Sequence, residues 1–351
     1  MNSITVQGRI IGEGHPAYLI AELSANHSQD LEKAKAMVRA AKVAGADAIK
    51  LQTYRPDTMT LNCDSELFRI KSGTIWEGKR LFDLYQEAHT PWEWHAPLKA
   101  LAESLGLHFF SSPFDVTAVE FLEDLGVPAF KIASFELVDL PLIRRVARTG
   151  KPMIMSTGMA TLSEIHEAVE AARSAGANQI ALLKCNSAYP APLGEMNLRT
   201  IPHLSQAFNT PVGLSDHTLG TTAPTVAVAL GACIVEKHFT LDRGEGGPDS
   251  TFSLEPAEFK AMVDSVRATE ALLGRVSYQV SERERASTLF RRSLWVVADI
   301  KAGEPFTSKN VRSLRPADGL HPRHLEQVLE GAASMDIPRG TPISWKHVRL
   351  N

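Results

Sequence analysis

Eight short apolar runs in this chain each break off into polar or ionisable residues, and this repeat constrains the fold more than any other feature. In order they are YLIAEL ending at Glu22, AIKLQ at Lys50 and Gln52, HFFSSPF at Ser111 and Ser112, and AFKIAS at Lys131 and Ser134. PMIMSTG follows at Ser156 and Thr157, then IALLKCNS at Lys184 to Ser187, VGLSDH at Ser215 to His217, and IVEKHF at Glu236 to His238. The runs are continuously apolar rather than alternating, as strands buried on both faces must be. Patterned helices such as DLEKAKAMVRAAKVAG and LSEIHEAVEAARSAG separate them, several closed by a glycine. Eight β-then-α units predict a (β/α)8 TIM barrel of the α/β class. In that fold the active site lies at the C-terminal ends of the strands.

The pattern ends after the helix EPAEFKAMVDSVRATEALLG, and a charged linker, Ser281 to Ser287, leads into short runs punctuated by proline and glycine. The expected organisation is a barrel over 1–280, then a linker and a small domain over 281–351. One long insertion, Arg55 to His89, separates the second strand from its helix and carries Phe68, Ile70, Trp76 and Tyr85 among charges. It reads either as a lid or substrate wall, or as a structural or oligomer contact.

A formal net charge of −3 gives no reason to expect nucleic acid or an anionic membrane as partner, so affinity for an anionic substrate must be local. Cys63, Cys185 and Cys233 have neither disulfide nor zinc spacing, which fits a reducing, cytoplasmic setting. The first residues lack the pattern of a signal peptide, and no apolar stretch is long enough to span a bilayer.

The strand ends define three groups. His217 and His238 close adjacent strands about 4.8 Å apart and can share one divalent ion with positions left open. The alternative is a hydrogen-bonded structural pair. His27 is a further candidate ligand, or simply a loop histidine. Lys50 ringed by Ser112, Ser134, Ser156, Ser187 and Ser215 suits a phosphate plus a carboxylate, and Lys131 and Lys184 join only if they face inward. Glu22, Glu136, Asp216 and Asp249 are acids for orienting water, moving a proton or holding a hydroxyl. Of these, Glu22 lies within an apolar run and needs a partner.

AELSANHS, AIKLQTY, SSPFD, KIASFE, STGM, KCNSAYPAP, GLSDHT, EKHFT and GPDSTFSLEP occur here in the order found in the sialic acid synthase family, which the whole chain resembles. The C-terminal segment is similar to that family's antifreeze-like (SAF) domain. The resemblance implies condensation of phosphoenolpyruvate with an open-chain amino-sugar aldehyde, giving a nonulosonic acid and phosphate. It implies a divalent ion on His217 and His238, with Mn²⁺ expected and Co²⁺ or Mg²⁺ as alternatives. Lys50, Ser112, Ser134, Ser156, Ser187 and Ser215 become the phosphoenolpyruvate pocket, and Glu136 the group that handles water or the sugar proton. Glu22, Gln52, Tyr189 and Asp249 become sugar contacts. In RPADGL, Arg315 matches an arginine that the small domain sends into the partner's barrel, which implies a domain-swapped homodimer. IKLQTY, KCNSAYP and DSTFSLEP lean toward the branch using 2,4-diacetamido-2,4,6-trideoxy-L-altrose; synthesis of N-acetylneuraminate or legionaminic acid is the alternative. A non-catalytic carbohydrate-binding protein is the rival of another class.

Overall fold

A computed structural model describes residues 3–71 and 73–350 of the chain. Its first element is an antiparallel hairpin of β1 (Ser3–Val6) and β2 (Arg9–Gly12). The turn residues Gln7 and Gly8 have φ of 45° and 83°, the left-handed pair that a two-residue hairpin turn requires. Ile4, Val6 and Ile11 are buried in the core of the barrel, and the Thr5 amide donates to Gln179 Oε1 at 2.7 Å, just before strand β8. The hairpin therefore plugs the N-terminal end of the barrel. The sequence reading did not anticipate it, although SITV-QG-RIIG carries a hairpin's alternation and turn.

The eight expected strands are all present. They are β3 (Tyr18–Glu22), β4 (Ala48–Thr53), β5 (His108–Pro113), β6 (Phe130–Ile132), β7 (Met153–Ser156), β8 (Ile180–Cys185), β9 (Val212–Asp216) and β10 (Ile234–His238). All pair in parallel and close in the order β10-β3-β4-β5-β6-β7-β8-β9. Gly213 stands where neighbouring strands approach closely: a Cβ there would lie 2.4 Å from the Ile234 carbonyl oxygen.

Helices clothe the ring. α1 (Leu31–Val43) is capped by the Asp30 carboxylate, which accepts from the Glu32 and Lys33 amides. After β4 the insertion folds into α2 (Pro56–Met59), a single 3₁₀ turn at Glu66–Phe68, one antiparallel bridge between Arg69 and Arg80, and α3 (Leu81–Ala88). The ring continues with α4 (His95–Ser104), α5 (Val116–Asp124), α6 (Leu140–Ala147), α7 (Leu162–Ser174), α8 (Thr200–Phe208), α9 (Thr222–Ala229) and α10 (Pro256–Leu273). α8 carries Pro202 in its first turn, where a proline removes no helical hydrogen bond.

The chain divides into two compact units between Gly274, which ends α10, and Arg275. The second unit contains α11 (Glu282–Arg285) and pairs β11 (Ser293–Val296) with β12 (Val311–Leu314). It then adds α12 (Leu325–Leu329) and the two-residue pair β13 (Ala332–Ala333) and β14 (Val348–Arg349). Its own core gathers Leu294, Val296, Phe306, Val311, Ile337 and Ile343. Among the described residues, no helix is long and apolar enough to cross a membrane.

Candidate active site

Side chains alternate along a strand, so every second residue near a strand's end enters the barrel. On β4 these are Lys50 and Gln52, on β9 and its continuation Ser215 and His217, on β10 Glu236 and His238. They meet in a cavity of about 360 Å³ at the C-terminal end of the ring. Lys131, Ser134, Glu136, Ser156, Tyr189 and Asp249 also line it.

The floor is a chain of buried charges. Lys50 Nζ lies 2.8 Å from Glu22 Oε2 and 3.3 Å from Glu236 Oε1, and Lys131 Nζ stands 3.3 Å from the same Glu236 oxygen. Burial opposes the Lys50 charge, but Glu22 and Glu236 outweigh it and hold its pKa above the ordinary value. Burial likewise opposes the Glu236 charge, and the two ammonium groups prevail and hold its carboxyl down. Glu22, fully buried, is pushed up by desolvation despite Lys50. Burial pushes Lys131 down against the pull of Glu236. Each charge here depends on its neighbours, so removing one partner is expensive.

Hydroxyls ring this floor. Ser112 Oγ lies 3.4 Å from Lys50 Nζ, and Ser215 Oγ donates to Glu236 Oε1 at 3.4 Å. Ser134 Oγ accepts from the Gly158 amide at 3.1 Å, while Ser156 Oγ is buried with no hydrogen-bond partner among the described residues. Ser187 lies against Gly158. A Cβ at position 158 would overlap its Oγ and come within 2.7 Å of Ser134 Oγ. Ser112, fully buried, stands behind the cavity surface, Ser187 is half-buried beside it, and Ser134, Ser156 and Ser215 reach it.

Opposite stand the imidazoles. The rings of His217 and His238 have centroids 5.3 Å apart at 60°. His217 Nδ1 lies 2.8 Å from the Asn186 carbonyl oxygen, which fixes the proton on Nδ1 and leaves Nε2 its lone pair. Burial pushes the His238 pKa well below the usual value, and the positive groups nearby add to the effect, so that ring is neutral. Burial pushes His217 down too, but Cys185 and Asn186 outweigh it. Among the described residues His238 Nδ1 is buried without a partner. A neutral imidazole with an orphaned nitrogen beside a second, tautomerically fixed one fits a divalent ion. Among the described residues no group of three or more His, Cys, Asp or Glu is placed to enclose an ion, so this pair leaves coordination positions open.

The remaining candidates separate clearly. Glu136 lines the cavity, its Oε2 has no partner among the described residues, and burial lifts its carboxyl to about 7. Gln52 Nε2 donates to Glu22 Oε1 and to Ser24 Oγ, each at 3.0 Å, and the Ser24 hydroxyl donates on to Asp249. Glu22 itself stands behind Lys50 and Gln52 rather than on the cavity surface. Tyr189 packs 4.5 Å from His217, 5.0 Å from Phe252 and 5.6 Å from Trp76. Arg315 lies in the second unit, exposed in a groove with Trp295, Arg312 and Arg339.

Three weaker candidates do not belong here. His27 Nε2 is 3.1 Å from Thr90 Oγ1, its ring packs edge-on against Trp94, and burial lowers its pKa to about 4: it is a satisfied core histidine. Lys184 donates to the Cys185 carbonyl at 2.9 Å away from the cavity. Asp216 points between strands and helices and binds Lys237 at 2.5 Å. Glu236 and Cys185 are cavity residues that the sequence reading named among the strand endings but gave no role. Glu236 was recoverable, since it lies two residues before His238 and therefore shares its face.

Fold and site together define a barrel enzyme that works in one strand-end cavity, charged on one side and largely apolar on the other. The chain belongs to the NeuB family, whose profile matches residues 37–278, and a SAF domain matches residues 291–349. It is 47% identical over 332 residues, 95% of this chain and 96% of the relative, to a pseudaminic acid synthase of Campylobacter jejuni subsp. jejuni serotype O:23/36. A pseudaminic acid synthase of Helicobacter pylori is 46% identical over 94% of this chain and 97% of its own. Among solved structures, the N-acetylneuraminic acid synthetase of Leptospira borgpetersenii, in complex with citrate, superposes with a TM-score of 0.72. It is 32% identical and covers 81% of this chain and 94% of its own.

Proposed function

We propose that the protein carries out the pseudaminic acid synthase reaction, joining phosphoenolpyruvate to 2,4-diacetamido-2,4,6-trideoxy-L-altrose with water to give pseudaminic acid and phosphate. The observation that carries this reading is a lysine-and-hydroxyl cradle facing an imidazole pair across one cavity. Near-full-length identity of 46–47% to two synthases of that name supports the substrate.

Lys50 and Lys131, with the hydroxyls of Ser134, Ser156 and Ser215 and the backbone around Gly158, take the phosphate and carboxylate of phosphoenolpyruvate; Ser112 and Ser187 back them. Glu22, whose carboxyl burial pushes up, can take a proton as a dianion arrives beside the two lysines, so the charge of the site adapts. His217 and His238 would hold a divalent ion, for which Mn²⁺ is the expected choice and Co²⁺ or Mg²⁺ the alternatives. When bound, that ion supplies Lewis-acid polarisation of the aldehyde.

C3 of phosphoenolpyruvate then attacks the aldehyde carbon, and the aldehyde oxygen becomes a hydroxyl. Glu136, poised at about 7, gives that oxygen its proton. As a carboxylate it next accepts a proton from the water that adds to C2. The resulting tetrahedral centre expels phosphate by C–O cleavage. Asp249, Gln52 and Tyr189 hold sugar hydroxyls and amides. Glu22 acts through Lys50 and Gln52 as a positioning residue. Arg315 would reach the sugar from the partner subunit of a domain-swapped homodimer.

The test is mass spectrometry and phosphate release with phosphoenolpyruvate and each candidate aldose. Product and phosphate are expected only when both substrates are present. Phosphate without an aldose, or no reaction with any amino sugar, overturns the reading. Chelation is expected to abolish turnover and Mn²⁺ to restore it; full activity after exhaustive metal removal removes the ion's role.

A further inference from the structure

The β9–β10 ladder stops one residue short of an imidazole. Its last register pair is Asp216 with Lys237, so His238 lies within β10 while His217 is the first residue beyond β9. On the other flank of β10 the pairing runs on, with the Phe239 amide donating to the Glu22 carbonyl at 2.8 Å. His217 must be held in line by other means. Side chains alternate, so Asp216 and Lys237 point out of the barrel wall where His217 and His238 point in. Neither lines the cavity. On that outer face the Asp216 carboxylate accepts from Lys237 Nζ at 2.5 Å, from the Thr218 amide at 2.9 Å and from the Thr218 hydroxyl at 3.1 Å. Lys237 also donates to the Thr218 carbonyl. A closed circuit thus joins β10 to both residues that flank His217. Its three members are at most 1% exposed. An ion pair so deeply buried is a poor source of stability, since an apolar pair of like volume often does as well or better.

We propose that Asp216, Lys237 and Thr218 are positioning residues for the imidazole pair, a clamp on the outside of the barrel wall that holds His217 at the distance from His238 that one divalent ion needs. The proposal rests on the reading that the two imidazoles share such an ion. The Asn186 carbonyl sets the tautomer of His217; the clamp sets the backbone from which its side chain springs. With the clamp removed, the chain beyond β9 is free to turn and carry that imidazole away from its neighbour, while the barrel and the lysine cradle stay in place.

The experiment titrates the full chain with Mn²⁺, followed by electron paramagnetic resonance without substrates, in wild type and in the double variant Asp216→Asn, Lys237→Met. The double variant keeps the acceptor for the Thr218 amide and removes both charges together, so neither is left buried alone. It is expected to unfold in urea at a midpoint near that of wild type and to bind Mn²⁺ about ten- to a hundred-fold more weakly. Its affinity for phosphoenolpyruvate, measured by calorimetry without metal, should stay within about two-fold of wild type. Should the double variant not fold, Thr218→Val decides, because it removes one arm of the clamp and should weaken Mn²⁺ binding at least about three-fold. Wild-type affinity for Mn²⁺ in the folded variant overturns the proposal. So does an equal loss of Mn²⁺ and phosphoenolpyruvate binding, and so does a wild type that binds no divalent ion. Mn²⁺ binding that weakens as expected, in an enzyme that condenses no aldose, upholds the clamp and sinks the condensation reading.

Discussion

At the scale of single residues, Glu136 couples stability to chemistry. Its carboxyl titrates near 7 in the folded protein against about 4.5 in an open chain. Between those values the folded state holds a proton that the unfolded chain releases. Its contribution is therefore complete below about pH 4.5 and is lost as pH rises through about 7. Glu136→Gln, which keeps the neutral shape, should match wild type in urea unfolding at pH 4.5. At pH 8 it should be more stable by about 1–3 kcal/mol, with turnover nearly abolished. Gly158 makes a second test. A Cβ there collides with the hydroxyls of Ser134 and Ser187, so Gly158→Ala should raise KM for phosphoenolpyruvate at least about ten-fold while leaving the far-UV circular dichroism unchanged. Much of this site was legible because strand ends alternate: Lys50 with Gln52, Ser215 with His217, and Glu236 with His238 each share a face. What alternation cannot reveal is depth. Glu22 and Ser112 look like cavity residues in sequence, yet they stand one layer behind it. His27 reads as a loop ligand and is instead sealed under Thr90 and Trp94.

Secondary-structure elements were legible in proportion to their local signals. The eight strands announce themselves by apolar composition, and the helices between them by period and cap. The β1–β2 hairpin was passed over because four-residue strands near a chain end carry little signal. Packing gives that hairpin its weight. Ile11→Ala removes a fully buried side chain where it meets the barrel and should cost about 2–5 kcal/mol in urea unfolding. Because it lies at the end of the ring opposite the cavity, kcat should stay within a factor of about two at temperatures where the variant is folded. On the functional end, Glu236→Ala strips the common partner from Lys50 and Lys131. It is expected to destabilise by about 3–5 kcal/mol, well beyond the effect of removing a surface ion pair, and to be read in the same unfolding assay.

The whole molecule is two units joined after α10, and the sequence shows the join as a change of texture from patterned helices to short strands and turns. It does not show why so small a second unit persists, since a core of that size is marginal alone. The role given to Arg315 came from family resemblance; nothing in its exposure or spacing marks it. A subunit-exchange assay addresses it directly. If the proposed dimer shares its sites, Arg315→Ala and His217→Ala proteins should each be nearly inactive alone. Mixed under verified exchange, they should regain about a quarter of wild-type activity, since half of the subunits are then in heterodimers and each heterodimer holds one intact site. No recovery removes the shared site.

The cavity's two sides are also encoded in different ways. The reactive side is collected one or two residues at a time from six strands, β4 and β6 to β10, scattered over more than half the chain. Much of the opposite side, from Met59 through Trp76 and Tyr85 to Ala88, is written in one insertion. That stretch can therefore be exchanged as a single cassette without replacing any of the strand-borne side chains.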